Sequence, residues 1–332
     1  MTKQESGHPK PNISHGLLLL SWKDNYSITK AEQITDILKL DITYTHKIPP
    51  PSTQPIWTQN ISPPESSSAL KLYQEPSGWR LDIECLGKGT FLYREDGIEV
   101  YWSPEGTDAT HYLFGIGLAI WFELHGTPCL HGNSLEIEDH AIALIGVSQA
   151  GKSTLTAALL QKGFSFLTDD LIVPRQTKEG WILYPAPGSL GMWPASIEHF
   201  LPNVDIAPLE QVHASSKKRL VPVESAILGK VCHEPKPLKA IYLLDRDCPG
   251  RDSNIHIEIL NPADALIALI SNSIAGGILT PLSIEQNRLN KLTQLVKEVP
   301  VKRIHYPNGY QHLNKVRDFI VADLFCPPLE HQ

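Results

Sequence analysis

The stretch that decides the fold is LHGNSLEIEDHAIALIGVSQAGKSTLTAALLQKGFSFLTDD, residues 130–170. Its central octapeptide GVSQAGKS, residues 146–153, satisfies the pattern GxxxxGK[ST]. An apolar run at residues 141–145 precedes the octapeptide and is typical of a strand. A helix is predicted to follow over residues 152–161 and to end at Gly163. A strand, a glycine-containing loop and a helix in this order predict a phosphate-binding loop.

The residue types in this loop suit the binding of ATP and Mg²⁺. Glycines allow the backbone to approach phosphate closely, and the first N–H groups of the helix present positive potential. We expect Lys152 to reach the β- and γ-phosphates and the Ser153 hydroxyl to bind Mg²⁺. The residues predicted to bind the nucleotide are Gly146, Ser148, Gln149, Ala150, Gly151, Lys152, Ser153 and Thr154.

Two adjacent carboxylates, Asp169 and Asp170, follow the next predicted strand at residues 164–167. A strand, a helix and a strand in succession predict two parallel strands, whose carboxyl ends lie at the same sheet edge. One carboxylate can hold Mg²⁺, and the other can accept the proton of an attacking hydroxyl. Aspartate is also common in solvated turns and helix caps, so the nearby loop is what favours a functional role.

A histidine, His131, precedes a further predicted strand at residues 135–137. It could reach the same sheet edge once the strands pair. A lone histidine is more often structural than catalytic, and the residue pattern by itself leaves both roles open.

Residues 130–170 resemble the catalytic domain of HPr kinase/phosphorylase, whose nucleotide site is related to that of ATP-dependent phosphoenolpyruvate carboxykinase. The closely spaced aspartate pair separates this group from most P-loop proteins. The resemblance implies an α/β P-loop kinase domain over residues 108–332. It further implies that His131 lies near the metal, that Asp169 is the metal-side aspartate, and that Asp170 is the general base.

The layout of residues 112–324 is also similar to HPr-kinase-like proteins of bacterial peptide-modification clusters, including lasso-peptide clusters. This likeness implies a kinase that phosphorylates a serine of a precursor peptide, and a homo-oligomer is expected from the likeness to HPr kinases. The matching region includes the basic run at residues 217–219, in which Lys217 and Arg219 are candidates for a phosphate clamp. A solvated loop is the other interpretation of this run. HPr kinases usually carry glycine where this chain has Gln149.

Residues 1–107 contain proline and serine runs between short segments rich in β-branched and aromatic residues. Residues 81–84, 90–93 and 98–102 are predicted to form a meander, with Asp96-Gly97 in a hairpin turn. We therefore expect a small β-rich domain that folds apart from the kinase domain and recognises the acceptor.

Three helices are predicted outside the loop region. Residues 110–124 are apolar on most of their surface and lack proline, which favours a buried helix. Asn261-Pro262 is typical of a helix start, and Ser283 with Gln286 predicts a capping box for the helix after it.

Composition narrows the class of protein. The 332 residues are 42% hydrophobic and 20% charged, with a net charge of −7, which indicates a globular protein without a general basic surface for nucleic acid. The five cysteines show no CxxC spacing, which argues against a disulfide framework and a thiolate zinc site. No apolar run approaches the length of a membrane helix, so we expect a cytoplasmic protein without a membrane partner.

Two other functions use the same nucleotide site. One is a kinase of a small metabolite, which only substrate trials would separate from a peptide or protein kinase. The other is a nucleotide-responsive binding protein, in which ATP orders loops for a partner. The paired aspartates favour catalysis, because a protein that only binds ATP has less need of a base.

Overall fold

The computed structural model describes ten segments of the chain: residues 40–45, 50–61, 68–85, 87–95, 97–186, 188–213, 216–224, 228–247, 254–274 and 276–325. Six strands between residues 41 and 106 form one sheet. Its strands are β1 Asp41–Tyr44, β2 Trp57–Ile61, β3 Ser68–Glu75, β4 Gly78–Glu84, β5 Gly87–Tyr93 and β6 Gly97–Gly106.

This six-stranded sheet has the order β1-β6-β5-β4-β3-β2. The strands β2 to β6 pair antiparallel in succession, and β1 pairs parallel to β6. The predicted meander is confirmed, and the Arg94 N–H donates to the Gly97 carbonyl at 2.9 Å to close its last turn. Position 96 of the predicted hairpin lies outside the described residues.

A broken helix connects the two halves of the chain. It comprises α1 Ala109–Tyr112, a π-helical turn Leu113–Gly117, and α2 Leu118–Leu124. The prediction of one continuous helix is wrong at Gly115, whose φ of −94° and ψ of −106° are not helical. Glycine adopts such angles because it has no Cβ to clash with the neighbouring backbone.

Ten strands form the second sheet, and two more form a small separate sheet. In chain order they are β7 Leu130–Ile137, β8 His140–Ile145, β9 Ser165–Thr168, β10 Leu171–Ile172, β11 Pro174–Thr177, β12 Gly180–Leu183, β13 Ser189–Met192, β14 Arg219–Pro222, β15 Lys230–Val231, β16 Lys236–Arg246, β17 His256–Ile259 and β18 Val301–Tyr306. The main path is β11-β12-β16-β8-β7-β9-β15, with β10 on β7 and β18 between β16 and β17. Strands β13 and β14 pair with each other.

Strands β8 and β9 run parallel, as predicted, but they are not neighbours. Strand β7 lies between them and pairs antiparallel with both. A two-residue turn joins β7 to β8, and its residues Glu138 and Asp139 both have positive φ, at 47° and 64°. Positive φ at both central residues is the requirement of a tight hairpin turn, and this hairpin places β7 beside β8. The carboxyl ends of β8 and β9 still reach the same sheet edge.

Five further helices cover the second sheet: α3 Lys152–Gln161, α4 Pro194–Phe200, α5 Pro262–Ser271, α6 Glu285–Glu298 and α7 Leu313–Phe325. Helices α3, α4 and α7 share one apolar core with the sheet, and α5 and α6 share another. The Asn261 side chain caps α5, as predicted. The predicted capping box of α6 is wrong, because Ser283 has a φ of 57° and no described side chain caps that helix. Among the described residues, no helix combines the length and apolarity needed to cross a bilayer.

A third apolar core joins the first sheet to the second half of the chain. Its buried members include Leu81 and Phe91 of the first sheet, Trp121 of α2, and Leu171 beside the second sheet. The division into two domains at residue 107 stays a prediction. Separating the halves would expose the apolar residues of this shared core.

A buried ion pair links α2 to α6. Arg288 Nε lies 2.9 Å from Glu123 Oε1, and the two side chains are 5% and 2% exposed. The same carboxylate oxygen accepts the Cys129 N–H at 2.8 Å. Burial favours the neutral acid and raises the pKa of Glu123, while Arg288 acts in the opposite direction.

We expect Arg288→Met to lower the free energy of unfolding by about 3–5 kcal/mol, because it leaves the buried Glu123 without its cation. Lys88→Met is the control, since it removes an ion pair to Glu84 whose lysine is 71% exposed. That change should cost less than about 1 kcal/mol. Urea unfolding measures both variants, and equal losses would contradict a structural role for the buried pair.

Candidate functional site

The loop between β8 and α3 wraps around the amino group of Lys152. Lys152 Nζ donates to the Gly146 carbonyl at 2.8 Å and to the Val147 carbonyl at 3.3 Å. The loop turns through positive φ at Gly146 (152°), Gln149 (66°) and Gly151 (97°). Lysine 152 is only 8% exposed, and burial is the main cause that lowers its pKa. The predicted loop residues therefore enclose one buried cation.

Side chains from two other strands hold the back of the loop. Tyr306 Oη donates to the Ala150 carbonyl at 2.6 Å, and the Arg246 guanidinium donates to the Gln149 carbonyl. Tyr306 ends β18 and Arg246 ends β16, and both strands run parallel to β8. The loop is thus supported from the carboxyl edge of the sheet.

The outer side of the loop faces solvent. Val147 is 75% exposed, and Ser148 and Gln149 are also exposed. Helix α3 begins after Gly151, and no side chain in the described part of the chain caps it. Its first N–H groups therefore keep their hydrogen-bonding capacity, and the helix dipole adds positive potential there. Ser153 and Thr154 are half-buried at this helix start. The arrangement can bind a phosphate chain.

The two carboxylates differ in burial and partners. Asp169 Oδ2 accepts the Gly191 N–H at 2.6 Å, whereas Asp169 Oδ1 is buried without a partner among the described residues. Burial, and then the negative charge of Asp170, raise the pKa of Asp169 to about 8. The Asp170 side chain is 47% exposed, and its backbone has a φ of 64°. Asp169 is a fixed, buried acid, and Asp170 is open to solvent.

These residues fit a hydrated Mg²⁺. A buried carboxylate oxygen without a partner is costly, and a cation would supply the missing partner. Among the described residues, no cluster of three or more His, Cys, Asp or Glu side chains could hold a metal ion by itself. Mg²⁺ is usually held by one or two carboxylates, waters and phosphate oxygens, so a sparse protein ligand set suits it. Asp169 and Ser153 are the residues that would hold it.

His131 lies directly beside Asp170. It belongs to β7, and its register partner is Leu171 of β10. Its Nδ1 lies 3.2 Å from the Asp170 carbonyl oxygen and 4.0 Å from Asp170 Oδ1. Burial is the largest cause that lowers the pKa of His131, and the charge of Lys152 adds to it. The three candidate catalytic residues are therefore adjacent in the fold.

The basic run at residues 217–219 influences the site electrostatically through its middle residue. Lys217 is exposed, whereas the positive charge of Lys218 opposes the rise in the pKa of Asp169 and adds to the lowering of the pKa of His131 and Lys152 that burial causes. Arg219 begins β14, where its Nη1 donates to the Leu209 carbonyl at 3.4 Å. Strand β14 pairs with β13, whose Gly191 donates to Asp169. Lys218 therefore interacts electrostatically with the site, and the roles of Lys217 and Arg219 as a phosphate clamp stay a prediction.

Several polar residues at the site were not predicted. Tyr112 Oη and His213 Nε2 lie 2.8 Å apart, and the rings of His111 and His213 are 5.0 Å apart. Burial and then His213 lower the pKa of His111 to about 4, while the charge of Asp170 opposes this shift. Asn133, two residues after His131 on β7, is fully buried with both amide atoms unpartnered among the described residues. Alternation along a strand places Asn133 and His131 on one face.

The left-handed conformation of Gln149 yields a prediction for the loop. Gln149→Gly should leave the free energy of unfolding unchanged or raise it by up to about 1 kcal/mol, because glycine adopts positive φ without the Cβ clash. Gln149→Val should lower it by at least about 1 kcal/mol, since a β-branched residue fits this region poorly.

Ser148→Gly is the matched control, because Ser148 is exposed and has no positive φ. It should lose about 0.5–1 kcal/mol to the greater freedom of glycine in the unfolded chain. Chemical denaturation compares the three variants. A loss in Gln149→Gly equal to that in Ser148→Gly would contradict strain at Gln149.

Similarity to known proteins is found at the level of structure. No protein-family model matches the sequence, and no curated protein matches it. Among solved structures, the chain is similar to the Hpr(Ser) kinase/phosphatase from Coxiella burnetii, with 14% sequence identity and a TM-score of 0.34. The match covers 59% of this chain and 95% of that one. It is a distant resemblance in fold.

Proposed function

We propose that the protein is an ATP-dependent kinase that phosphorylates a serine or threonine hydroxyl of a peptide or protein. A precursor peptide of the lasso type is the acceptor we favour. One observation carries the proposal. The loop that contains Lys152 lies at the same sheet edge as the buried carboxylate of Asp169 and the exposed carboxylate of Asp170. Phosphoryl transfer needs these parts: positive groups for the phosphates and a carboxylate for the hydroxyl proton.

The loop and Lys152 would bind the phosphates. The N–H groups at the start of α3 face a phosphate chain from one side, and Lys152 contributes a full positive charge. Ser153 and Asp169 would hold Mg²⁺, which would neutralise charge on the phosphates, and ATP would supply the phosphoryl group. Lys218 adds a second cation at the same edge.

Asp170 is suited to accept the hydroxyl proton. Its side chain is half exposed, so an acceptor can approach it, whereas Asp169 is held by the Gly191 N–H. His131 lies beside Asp170 and has a lowered pKa, which keeps it neutral near pH 7. A neutral histidine can orient Asp170 and donate one hydrogen bond without cancelling its charge.

The two other functions differ from this proposal in product. A small-metabolite kinase would turn over ATP with a metabolite and not with a peptide, and a binding protein would bind ATP without any phosphorylated product. A precursor-peptide gene beside the gene for this protein would identify the acceptor to test. The cytoplasmic location, the homo-oligomer and the recognition role of residues 1–107 remain predictions from the sequence.

ATP with Mg²⁺ should raise the melting temperature of the protein. A ligand at 100 times its Kd stabilises the folded state by about 2.7 kcal/mol when it does not bind the unfolded chain. Lys152→Ala should abolish most of this shift, because it removes the cation inside the loop. Lys162→Ala is the control, since Lys162 is exposed at the opposite end of α3. An equal shift in both variants would refute the assignment of residues 146–154 as a nucleotide-binding loop.

Neutralising Asp169 and neutralising Asp170 should change different kinetic properties of the protein. Asp170→Asn should bind ATP and Mg²⁺ normally but lower kcat by about 10² to 10⁴, the range for losing acid–base assistance. Asp169→Asn should raise the Mg²⁺ concentration needed for half-maximal rate, and added Mg²⁺ should partly restore the rate.

Phosphorylation of the acceptor is measured over a range of Mg²⁺ concentrations for both variants. Near wild-type rates in both would refute the mechanism. If the two effects appear with the residues exchanged, the kinase proposal stands and only the assignment of roles changes.

A further inference from the structure

A cleft opens beside the loop, next to Thr154. It has about 490 Å³ of empty space, a figure that includes its open side. Its lining residues are Thr154, Arg246, Tyr306, Asn308, Gly309, Tyr310 and Leu313. None of them belongs to the aspartate and histidine cluster. We call this space the Tyr310 cleft.

The sheet order places the Tyr310 cleft and the aspartate pair on opposite sides of the loop. Strand β8, which leads into the loop, lies between β16 on one side and β7 on the other. Arg246 and Tyr306 end β16 and β18, and they line the cleft. The aspartates follow β9, on the far side of β7. A ligand laid along the loop therefore has one end at the aspartates and the other in the cleft.

The walls of the cleft are planar and polar. The ring of Tyr310 stacks on His199 with centroids 4.1 Å apart and an angle of 17°, and Tyr310 is 36% exposed. Its hydroxyl lies 3.2 Å from Ser196 Oγ, which lies 3.4 Å from Thr154 Oγ1. This chain of hydroxyls fixes Tyr310 relative to the start of α3. Aromatic rings, a guanidinium and an amide suit a nucleobase and its sugar, because every base offers a face for stacking.

We infer that the Tyr310 cleft is the nucleoside site, which takes the base and sugar of a nucleoside triphosphate. This inference rests on the proposed function, because the phosphates would occupy the loop and the terminal phosphate would face the aspartates. Arg246 and Tyr306 both line the cleft and hold the loop carbonyls. The same two residues therefore connect the nucleoside site to the phosphate site.

The test compares ATP with inorganic tripolyphosphate, which carries the phosphates but no nucleoside. Isothermal titration with Mg²⁺ gives the Kd of each ligand for the full-length protein. Tyr310→Ala should weaken ATP binding about tenfold or more, as expected for the loss of a stacking partner, and should leave tripolyphosphate within about twofold. Tyr310→Phe keeps the ring and should bind ATP nearly as tightly as wild type.

Two further variants provide a second test of the cleft and a control. Asn308→Ala should also weaken ATP and spare tripolyphosphate, which tests the cleft by a residue other than the tyrosine. Phe319→Ala is the control, because Phe319 is a 46% exposed aromatic residue on α7 that does not line the cleft. It should change neither Kd, and melting temperatures establish that each variant is folded.

The outcomes separate this inference from the proposed function. If Tyr310→Ala and Asn308→Ala leave ATP binding unchanged, or weaken both ligands equally, the nucleoside site is elsewhere and the inference is overturned. If wild type binds neither ligand, or if Lys152→Ala leaves tripolyphosphate binding intact, the phosphate loop itself is refuted, and the inference falls with it.

Discussion

The hydrogen bond from Tyr306 to the Ala150 carbonyl fixes the conformation on which the candidate site depends. It joins the end of β18 to the turn before α3, and the Tyr306 hydroxyl leaves little room for a side chain at Gly151. A Cβ added at Gly151 would lie 2.9 Å from the Tyr306 hydroxyl, at a φ of 97°. Glycine is therefore required there by both the backbone angle and the space. With this turn fixed, α3 begins at Lys152 and the lysine amino group reaches the loop carbonyls.

Local signals predicted the elements that local interactions form. Helix α3 has the predicted bounds, because Gly151 precedes it and Gly163 follows it, each with positive φ. The Asn261 cap of α5 was also predictable, since the side chain bonds to N–H groups two and three residues further on. The position of β7 between β8 and β9 was not. Its hairpin turn consists of Glu138 and Asp139 and lacks the glycine that usually marks such turns.

The residues of the candidate site also fall into those that the local sequence predicts and those that only the tertiary fold brings together. The loop, the aspartates and His131 lie within one stretch of the sequence and could be proposed from its pattern. Other residues come together only through the tertiary fold. Tyr112 and His213 are 101 residues apart in the sequence, and Tyr310 is likewise distant from the loop. The basic run shows a finer limit. The pattern predicts Lys217 and Arg219 as a phosphate clamp, which stays a prediction, and only the fold shows that the charge of Lys218 also acts on Asp169.

The unequal burial of the two aspartates explains how one site can hold two adjacent acids. Two neighbouring carboxylates repel each other when both are ionised, and burial raises the cost further. The fold separates them: it gives Asp169 one N–H donor and no solvent for Oδ1, and it turns Asp170 outward through a φ of 64°. The left-handed backbone at Asp170 is tolerated because aspartate visits that region more readily than most residues. Without a cation the buried acid favours its protonated form, and a cation at Oδ1 would remove that preference. In the proposed function, cation binding at Oδ1 would be coupled to the ionisation of Asp169, while Asp170 would stay open to an acceptor.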